Sequence, residues 1–518
     1  MKRTIALLLC VCMCTLLFSG CNLVEQDPYV PTGDALTWDD DYTGPVAAQE
    51  PTEPSSQELT LTYYADVTMN PYFCTDFTNK ALHSLLYQGL FSVDRDYNVE
   101  PVLCSRYFVS DSMTTYTFYL DENATFSDGT KVTPEDVHAS LITAISSKLY
   151  SGRFYRVLNV LVQDDGGITV DLDTAYEDFP LLLDVPILKK SEQTASMPLG
   201  TGPYMFTDMG DRTQLTRRTN WWCNSDLTIT APVIELIEAE DPHQIRDEFQ
   251  FGELDLVQAE PGSDKYVEYL CDYELWNSEN GIFLYLVCHE DSYIFKTPEL
   301  RAALTYAIDR NLIAKEYYRG FATPATLPAS PQFPYYNQTL ASQYEYDPEK
   351  FAQIVSQNGL TGLELTLVVC REDTLRWRVA EAIGKMLEDA GFVVRINHYD
   401  AENIDYALVA TEYDLYLGQT MLSPNMDLSE FYDADGNLSH AGLSDPTMYA
   451  LCLQALENHG NYYTLHYTTM KEGHLCPVVF RSYAVYATRG LLTDLTPARN
   501  NVFYYSIGKS MEDAYISN

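Results

Sequence analysis

The chain has 518 residues, 46% of them hydrophobic, with 74 acidic against 32 basic side chains and a formal charge of −42. That length exceeds the size at which one core stops growing, so it predicts two or three domains, and the apolar content excludes wholesale disorder. The charge excludes nucleic acid and an anionic lipid surface as partners, because its field repels both.

Met1-Lys2-Arg3 is a short basic head, and Ile5 to Phe18 is an apolar run ending in Leu17-Phe18-Ser19-Gly20-Cys21. The run is short for a membrane span and stops at small residues, as an export signal does. Those last residues resemble the lipobox of bacterial lipoproteins. The resemblance implies a signal peptide over 1–20, lipidation of Cys21 with diacylglycerol, and a mature chain anchored on the extracytoplasmic face of the cell membrane. No later apolar stretch is long enough to predict a second span.

Residues 22–58 contain nine acidic residues, five prolines and no Lys or Arg. They cannot bury enough to fold, and 21–58 reads as a lipidated cysteine on an acidic, disordered tether. Order begins with the alternation of Leu59 to Tyr64, a strand that stops before Met69-Asn70-Pro71. Thr133-Pro134-Glu135-Asp136 carries a cap residue, a proline at the first helical position and an acid three residues after the cap, which predicts a helix through Leu141 and Ile145. Asp241-Pro242 and Thr297-Pro298-Glu299 predict two more helices, the second with Leu300, Ala303, Leu304, Ala307 and Ile308 on one face.

Leu363 to Val369 reads as a buried strand. Leu375, Val379, Ile383, Met386, Leu387 and Ala390 form a helical stripe closed by Gly391, and Phe392 starts another strand. This βαβ unit predicts a parallel sheet. Eight cysteines remain beyond residue 21, none in a CxxC. Cys288 and Cys370 sit in strand-like apolar runs, where buried free thiols are as reasonable as disulfides.

Several segments resemble the extracytoplasmic solute-binding lipoproteins of peptide and nickel ABC importers, solute-binding protein family 5. They are Leu85 to Phe91, Tyr116 to Leu120, Ala124 to Val137, Pro198 to Tyr204 and Leu300 to Arg310, in the family's order. The resemblance implies an α/β, periplasmic-binding-protein-like fold of three lobes on two hinged halves. Lobe I would be discontinuous, taking 59–95, 195–275 and 482–518. An additional lobe II would take 96–194, and lobe III, with the βαβ unit, 276–481.

The implied function is capture of short peptides outside the cell by a monomer and delivery to a membrane importer with a permease pair and associated ATPases. Alternatives are a non-peptide solute such as a nickel chelate, sugar or amine, a sensing or chaperone role, and, more remotely, a peptide hydrolase. No enzyme, cofactor or metal is expected. His289-Glu290 lacks the second histidine of HExxH, and His466 and His474 have no further ligand near them in sequence. Asp433 to Asn437 has its glycine too early for a calcium loop. Gly200-Thr201-Gly202-Pro203 lacks phosphate-loop spacing and reads as a turn, and Asp309-Arg310 reads as structural.

Tyr413 to Pro424 resembles the family's strand that lies against ligand. Peptide-binding relatives commonly carry Gly-Trp there, with an Asp three residues after the Trp that holds the peptide's amino terminus. In this chain Gly418 is present, Gln419 stands in place of the Trp and Leu422 in place of the Asp. A buried ammonium without a counter-charge is costly, so Asp66 and Asp427 become the candidate anchors. Main-chain groups of Val67, Thr68, Gln419, Thr420 and Met421 are the candidate partners of the ligand backbone. Tyr63, Tyr64, Tyr87, Tyr107 and Tyr204 fall in segments that in this family approach the cleft.

Overall fold

The computed structural model describes residues 59–489, apart from 211, 224–230, 264, 411 and 441. Cys21, the signal and the acidic tether lie outside the described residues, as does 490–518. No helix among the described residues is long and apolar enough to cross a membrane.

Three principal sheets organise these residues. The first places Leu59–Tyr63 parallel to Val233–Glu238, which continues antiparallel through Thr213–Arg217 to Tyr204–Asp208. The second, antiparallel throughout, contains Cys104–Val109, Thr115–Leu120, Ile168–Leu172 and Val157–Val162 in that order. The third has seven strands, ordered Leu256–Ala259, Leu475–Ala487, Glu274–Cys288, Leu415–Met421, Glu364–Cys370, Val393–Tyr399, with Ala322–Pro324 also on Leu475–Ala487.

That third sheet is buried on both faces, and the period of two sorts its side chains. Leu284, Leu286, Leu367, Val369, Leu415 and Leu417 pack with helix Thr374–Asp389, whereas Phe283, Tyr285, Val287, Val368 and Tyr416 pack with Phe431, Met448 and Leu465. Glu364–Cys370, helix Thr374–Asp389 and Val393–Tyr399 form the expected βαβ unit, with parallel pairing of the two strands. Gly391 follows the helix at φ 108°, a backbone conformation that side chains resist.

Two strands are unusually long, Glu274–Cys288 and Leu475–Ala487. Their pairing slips between Glu279 and Phe283, where Gly281 adopts φ 73°. On one side of the slip Leu475–Ala487 also pairs with Leu256–Ala259; on the other Glu274–Cys288 pairs with Leu415–Met421. The two strands therefore carry the sheet from one neighbourhood to the other.

Helix Pro134–Ser146 starts with the capping box read from its sequence, and Pro242–Gln250 is capped by Asp241. The helix expected from Pro298 through Ile308 is shorter. It runs Pro298–Ala303, tightens to a 3₁₀ turn over Leu304–Ala307, and Ile308 is extended. The buried Arg310 guanidinium is the reason, because it takes the carbonyls of Thr305 and Ile308 together with those of Ala325 and Pro477. Cys74, Cys104, Cys271, Cys288, Cys370, Cys452 and Cys476 are free thiols, and Cys288 and Cys370 are buried.

Candidate functional site: a two-chambered cleft beside an open strand edge

The chain leaving Leu59–Tyr63 is folded back by Asn79. Its amide accepts from the Tyr64 N–H at 2.8 Å and donates to the carbonyls of Tyr64 at 3.0 Å and Val67 at 3.1 Å. Asp76 caps the short helix Phe77–Ala81 that carries Asn79. Val67 N–H in turn donates to Tyr64 O, so the main chain of Val67 is engaged within the turn. The Thr68 hydroxyl donates to Ser196 O at 3.0 Å.

Against this turn lies a cavity of about 540 Å³. Its walls include the carboxylates of Asp66, Asp76, Glu240, Asp241 and Glu260, the ammonium of Lys265, and the rings of Tyr64, Phe77, Tyr266 and Tyr269. The local field is negative. Burial, with Asp76, Asp241 and Asp66 nearby, pushes the Tyr64 phenol up to about 12.

A smaller chamber of about 110 Å³ is lined by Lys80, His83, Tyr150, Arg153, Met421 and Tyr483, among others, and Gln258 lines both chambers. Phe77 on the larger side stacks on Tyr483 on the smaller, with ring centres 5.4 Å apart. One short helix therefore presents Phe77 and Thr78 to one chamber and Lys80 to the other.

The strand Leu415–Met421 supplies the adjacent edge. Along one side it pairs with Glu274–Cys288 over its whole length. On the other side its parallel neighbour pairs only from Leu415 to Leu417. Gly418, Gln419, Thr420 and Met421 thus have no strand partner on that side among the described residues. Gly418 is fixed by packing, because a Cβ there would lie 2.7 Å from the Tyr285 ring.

Arg481 ties this edge to the larger cavity. Its guanidinium donates to Gln419 Oε1 at 3.1 Å, pairs with Glu260, and lies 3.7 Å from Asp373, the N-cap of helix Thr374–Asp389. The three partners come from three different segments, and Arg481 is only 7% exposed.

The remaining candidates are placed elsewhere. Leu422 is 4% exposed and packs in the core with Phe283, Tyr285 and Phe431. The Asp427 carboxylate accepts from Ser429 N–H at 2.8 Å and Ser429 Oγ–H at 2.7 Å. Burial raises its pKa, and Arg156 is the opposing charge. Asp427 is thereby held among structural partners, whereas Asp66 is exposed to the larger cavity.

Of the five tyrosines, Tyr64 lines that cavity. Tyr63, Tyr87 and Tyr204 are buried, the last two donating to Pro198 O and Ala231 O, and Tyr107 is exposed on the 104–109 strand. Asp433 accepts from the Tyr155 hydroxyl, and no cluster of three metal-ligating side chains occurs among the described residues. Gly200 and Gly202 turn tightly against the Leu85 and Leu86 carbonyls.

Sequence reasoning missed Lys80, Gln258, Glu260, Tyr266, Tyr269 and Arg481. Only Arg481 had a local signal, a lone charge in the apolar run Leu475–Ala487.

Residues 98–440 match the model of "Bacterial extracellular solute-binding proteins, family 5 Middle". The chain belongs to this family. A curated relative, the glutathione-binding protein GsiB of Salmonella typhimurium, is 26% identical over 356 residues, 64% of this chain and 68% of the relative. Among solved structures, a putative peptide-binding protein AppA from Clostridium difficile superposes with TM-score 0.71 at 17% identity, over 87% of this chain and 99% of that one. NikA from Brucella suis, in complex with Fe(III)-EDTA, superposes with TM-score 0.69 at 18% identity over the same shares. These likenesses show the fold, a mixed α/β, periplasmic-binding-protein-like architecture with several sheets. Family membership places the protein outside the cytoplasm as a solute-binding component.

Proposed function

We propose that this family member captures short peptides and passes them to an ABC importer, with a permease pair and ATPases as partners. Lobe I would comprise 59–95, 195–275 and 482–518, lobe II 96–194 and lobe III 276–481. The two halves close about the long strands near Gly281, and the chain is held to the membrane by lipid on Cys21.

The observation that carries this reading is the edge of Gly418 to Met421, which has no second strand partner among the described residues and whose Met421 lines the smaller chamber. An extended peptide adds to such an edge through main-chain hydrogen bonds and leaves its side chains to tolerant pockets. A cavity of about 540 Å³ falls within the usual range for small ligands and favours a short peptide. Glutathione, named for the relative GsiB, is itself a small peptide. Asp66 is the proposed counter-charge for the ligand's amino group, with Thr68, Gln419, Thr420 and Met421 at the edges. The task is binding alone and requires no nucleophile.

Mass spectrometry of whatever co-purifies with the full chain and is released on unfolding tests the reading. Short peptides among the released species, and a thermal shift on adding them back with their masses unchanged, are the expected result. Fragmented peptides would indicate a hydrolase. A shift only with nickel chelates, sugars or amines would move the assignment to a non-peptide solute; the carboxylate wall of the larger cavity gives the amine class its support.

A further inference from the structure

The stretches 155–178 and 433–462, in the proposed lobes II and III, meet along a seam of polar contacts. The Tyr155 hydroxyl donates to Asp433 Oδ2 at 2.8 Å, and Arg156 Nη1 donates to the Tyr449 hydroxyl at 2.7 Å. The Glu177 N–H donates to the Leu456 carbonyl at 2.9 Å, near the end of helix Pro446–Glu457. Leu456 itself packs in the apolar cluster that holds Tyr176 and Phe179.

On this seam His459 is clasped by two successive carboxylates. Its Nδ1 lies 3.4 Å from Glu177 Oε2 and its Nε2 3.3 Å from Asp178 Oδ2, and its main-chain N–H donates to Glu177 Oε2 at 3.4 Å. The ring stacks on Tyr335, in the chain before helix Gln338–Ala341, with centres 4.4 Å apart. Tyr462, which opens helix Tyr462–Glu472, faces it at 6.1 Å. Glu177, Asp178, Tyr335 and Tyr462 are thus the titratable groups around the imidazole. A neutral imidazole has one N–H, so it serves one of the two carboxylates and turns a lone pair on the other; an imidazolium donates to both. Burial raises the Asp178 carboxyl, with His459 as the charge opposing that rise. The three residues stand apart from the walls of both chambers.

We propose that His459 is a proton-operated latch between the two halves of the protein. Charged, it ties Glu177 and Asp178 to the start of helix Tyr462–Glu472 and holds the cleft shut. Neutral, it gives up one of its two ties and lets the halves part. The latch therefore sets how long a ligand is held and leaves the choice of ligand to the chambers. It rests on the reading of a cleft that closes over peptides, and adds to it a slower release in acid.

Hydrogen exchange at the Glu177 and His459 amides reads the latch without any ligand, because both N–H groups donate across the seam. Exchange in the full-length chain is followed at about pH 5.5 and about pH 7.5, either side of an ordinary histidine's pKa, with each rate divided by that of an unstructured peptide of the same sequence at the same pH. Protection of the two amides should rise about three- to tenfold on acidification, the size of two partly exposed ion pairs acting on one opening. His459→Phe keeps a ring against Tyr335 but has no donor, and should show no such rise. Release of an equimolar tripeptide mixture, followed by gel filtration and mass spectrometry, should slow by a similar factor in acid in the native chain and not in His459→Phe.

Protection that does not change with pH, or that rises equally in His459→Phe, overturns the latch while leaving peptide capture standing. Protection that rises with no change in tripeptide release overturns its part in closure. Binding of no tripeptide at either pH overturns the peptide reading, and the exchange data alone then decide the latch. Should His459→Phe fail to fold, Glu177→Gln combined with Asp178→Asn removes the same two ties and serves in its place.

Discussion

Replacing Arg481 by methionine should expose how much the junction of the site depends on one guanidinium. The side chain is 9% exposed, while Glu260 and Asp373 are 21% and 20% exposed. Removing the cation leaves Glu260 without its ion-pair partner, leaves Asp373 with Arg376 alone, and strips Gln419 of its donor. Breaking a buried pair typically costs about 3–5 kcal/mol. Partial access of water to both acids puts the expectation near the lower bound, about 3 kcal/mol. Urea unfolding of the full chain, followed by tryptophan fluorescence, measures this, with Glu260→Gln and the double variant completing a cycle. A coupling of about 1–3 kcal/mol between Arg481 and Glu260 is expected, with little dependence on salt because the pair is shielded from solvent. A loss below about 1 kcal/mol, the range of exposed ion pairs, or strict additivity in the cycle, would refute the reasoning.

Three further outcomes can be measured in parallel. Gly418→Ala should cost about 1–3 kcal/mol by driving a methyl into the Tyr285 ring, and should weaken peptide binding by disturbing the edge; an unchanged melting temperature and affinity would show that the ring yields freely. Asp66→Asn should weaken binding of free-amino peptides but not of N-acetylated ones in calorimetry, whereas Asp427→Asn should lower stability by about 1–3 kcal/mol and leave that discrimination intact. Burial holds His83 down to about 3 and His466 to about 4, from an ordinary value of 6.5. Between those values and 6.5 the unfolded chain binds protons that the folded chain does not. Stability should therefore be full above pH 6.5 and fall on acidification, by up to about 1.4 kcal/mol per pH unit for each histidine. His466 makes no hydrogen bond through either ring nitrogen, so His466→Phe should flatten the slope, and an unchanged urea midpoint against pH would refute this.

Much of the scaffold was legible because its signals are local. The capping box at Thr133, the stripe from Leu375 to Leu387 and the alternation of Leu59 to Tyr63 depend only on neighbours in sequence, and each forms the element it predicts. The site was less legible because its residues acquire their meaning from distant partners. Val67 was a candidate partner of the ligand backbone by resemblance, but its carbonyl accepts from Asn79, twelve residues on. Leu422 follows Met421 directly, yet the strand ends at Met421 and Leu422 N–H turns to the Gly281 carbonyl, sending the side chain into the core. Asp427 carries the right charge but spends it on Ser429 and Arg156. Gln258 and Glu260 gave no local signal, since only the packing of Leu256–Ala259 against the Phe77–Ala81 helix brings them to the cleft.

The net charge of −42 illustrates the same division between global and local physics. It governs solubility and the field at a distance, which falls off within about one Debye length, roughly 8–10 Å in ordinary salt. Inside the cleft the charges sort by chamber instead, carboxylates about Tyr64 and cations about Tyr483. On the proposed reading, a ligand held by an open strand edge along its backbone and by a charge at its amino end would be read for that end. Its side chains enter neither interaction, so such a site discriminates weakly among sequences and strongly against a blocked amino terminus. In the proposed site that selection would fall to Asp66, which follows Tyr64 on the turn that Asn79 clamps beside the helix capped by Asp76.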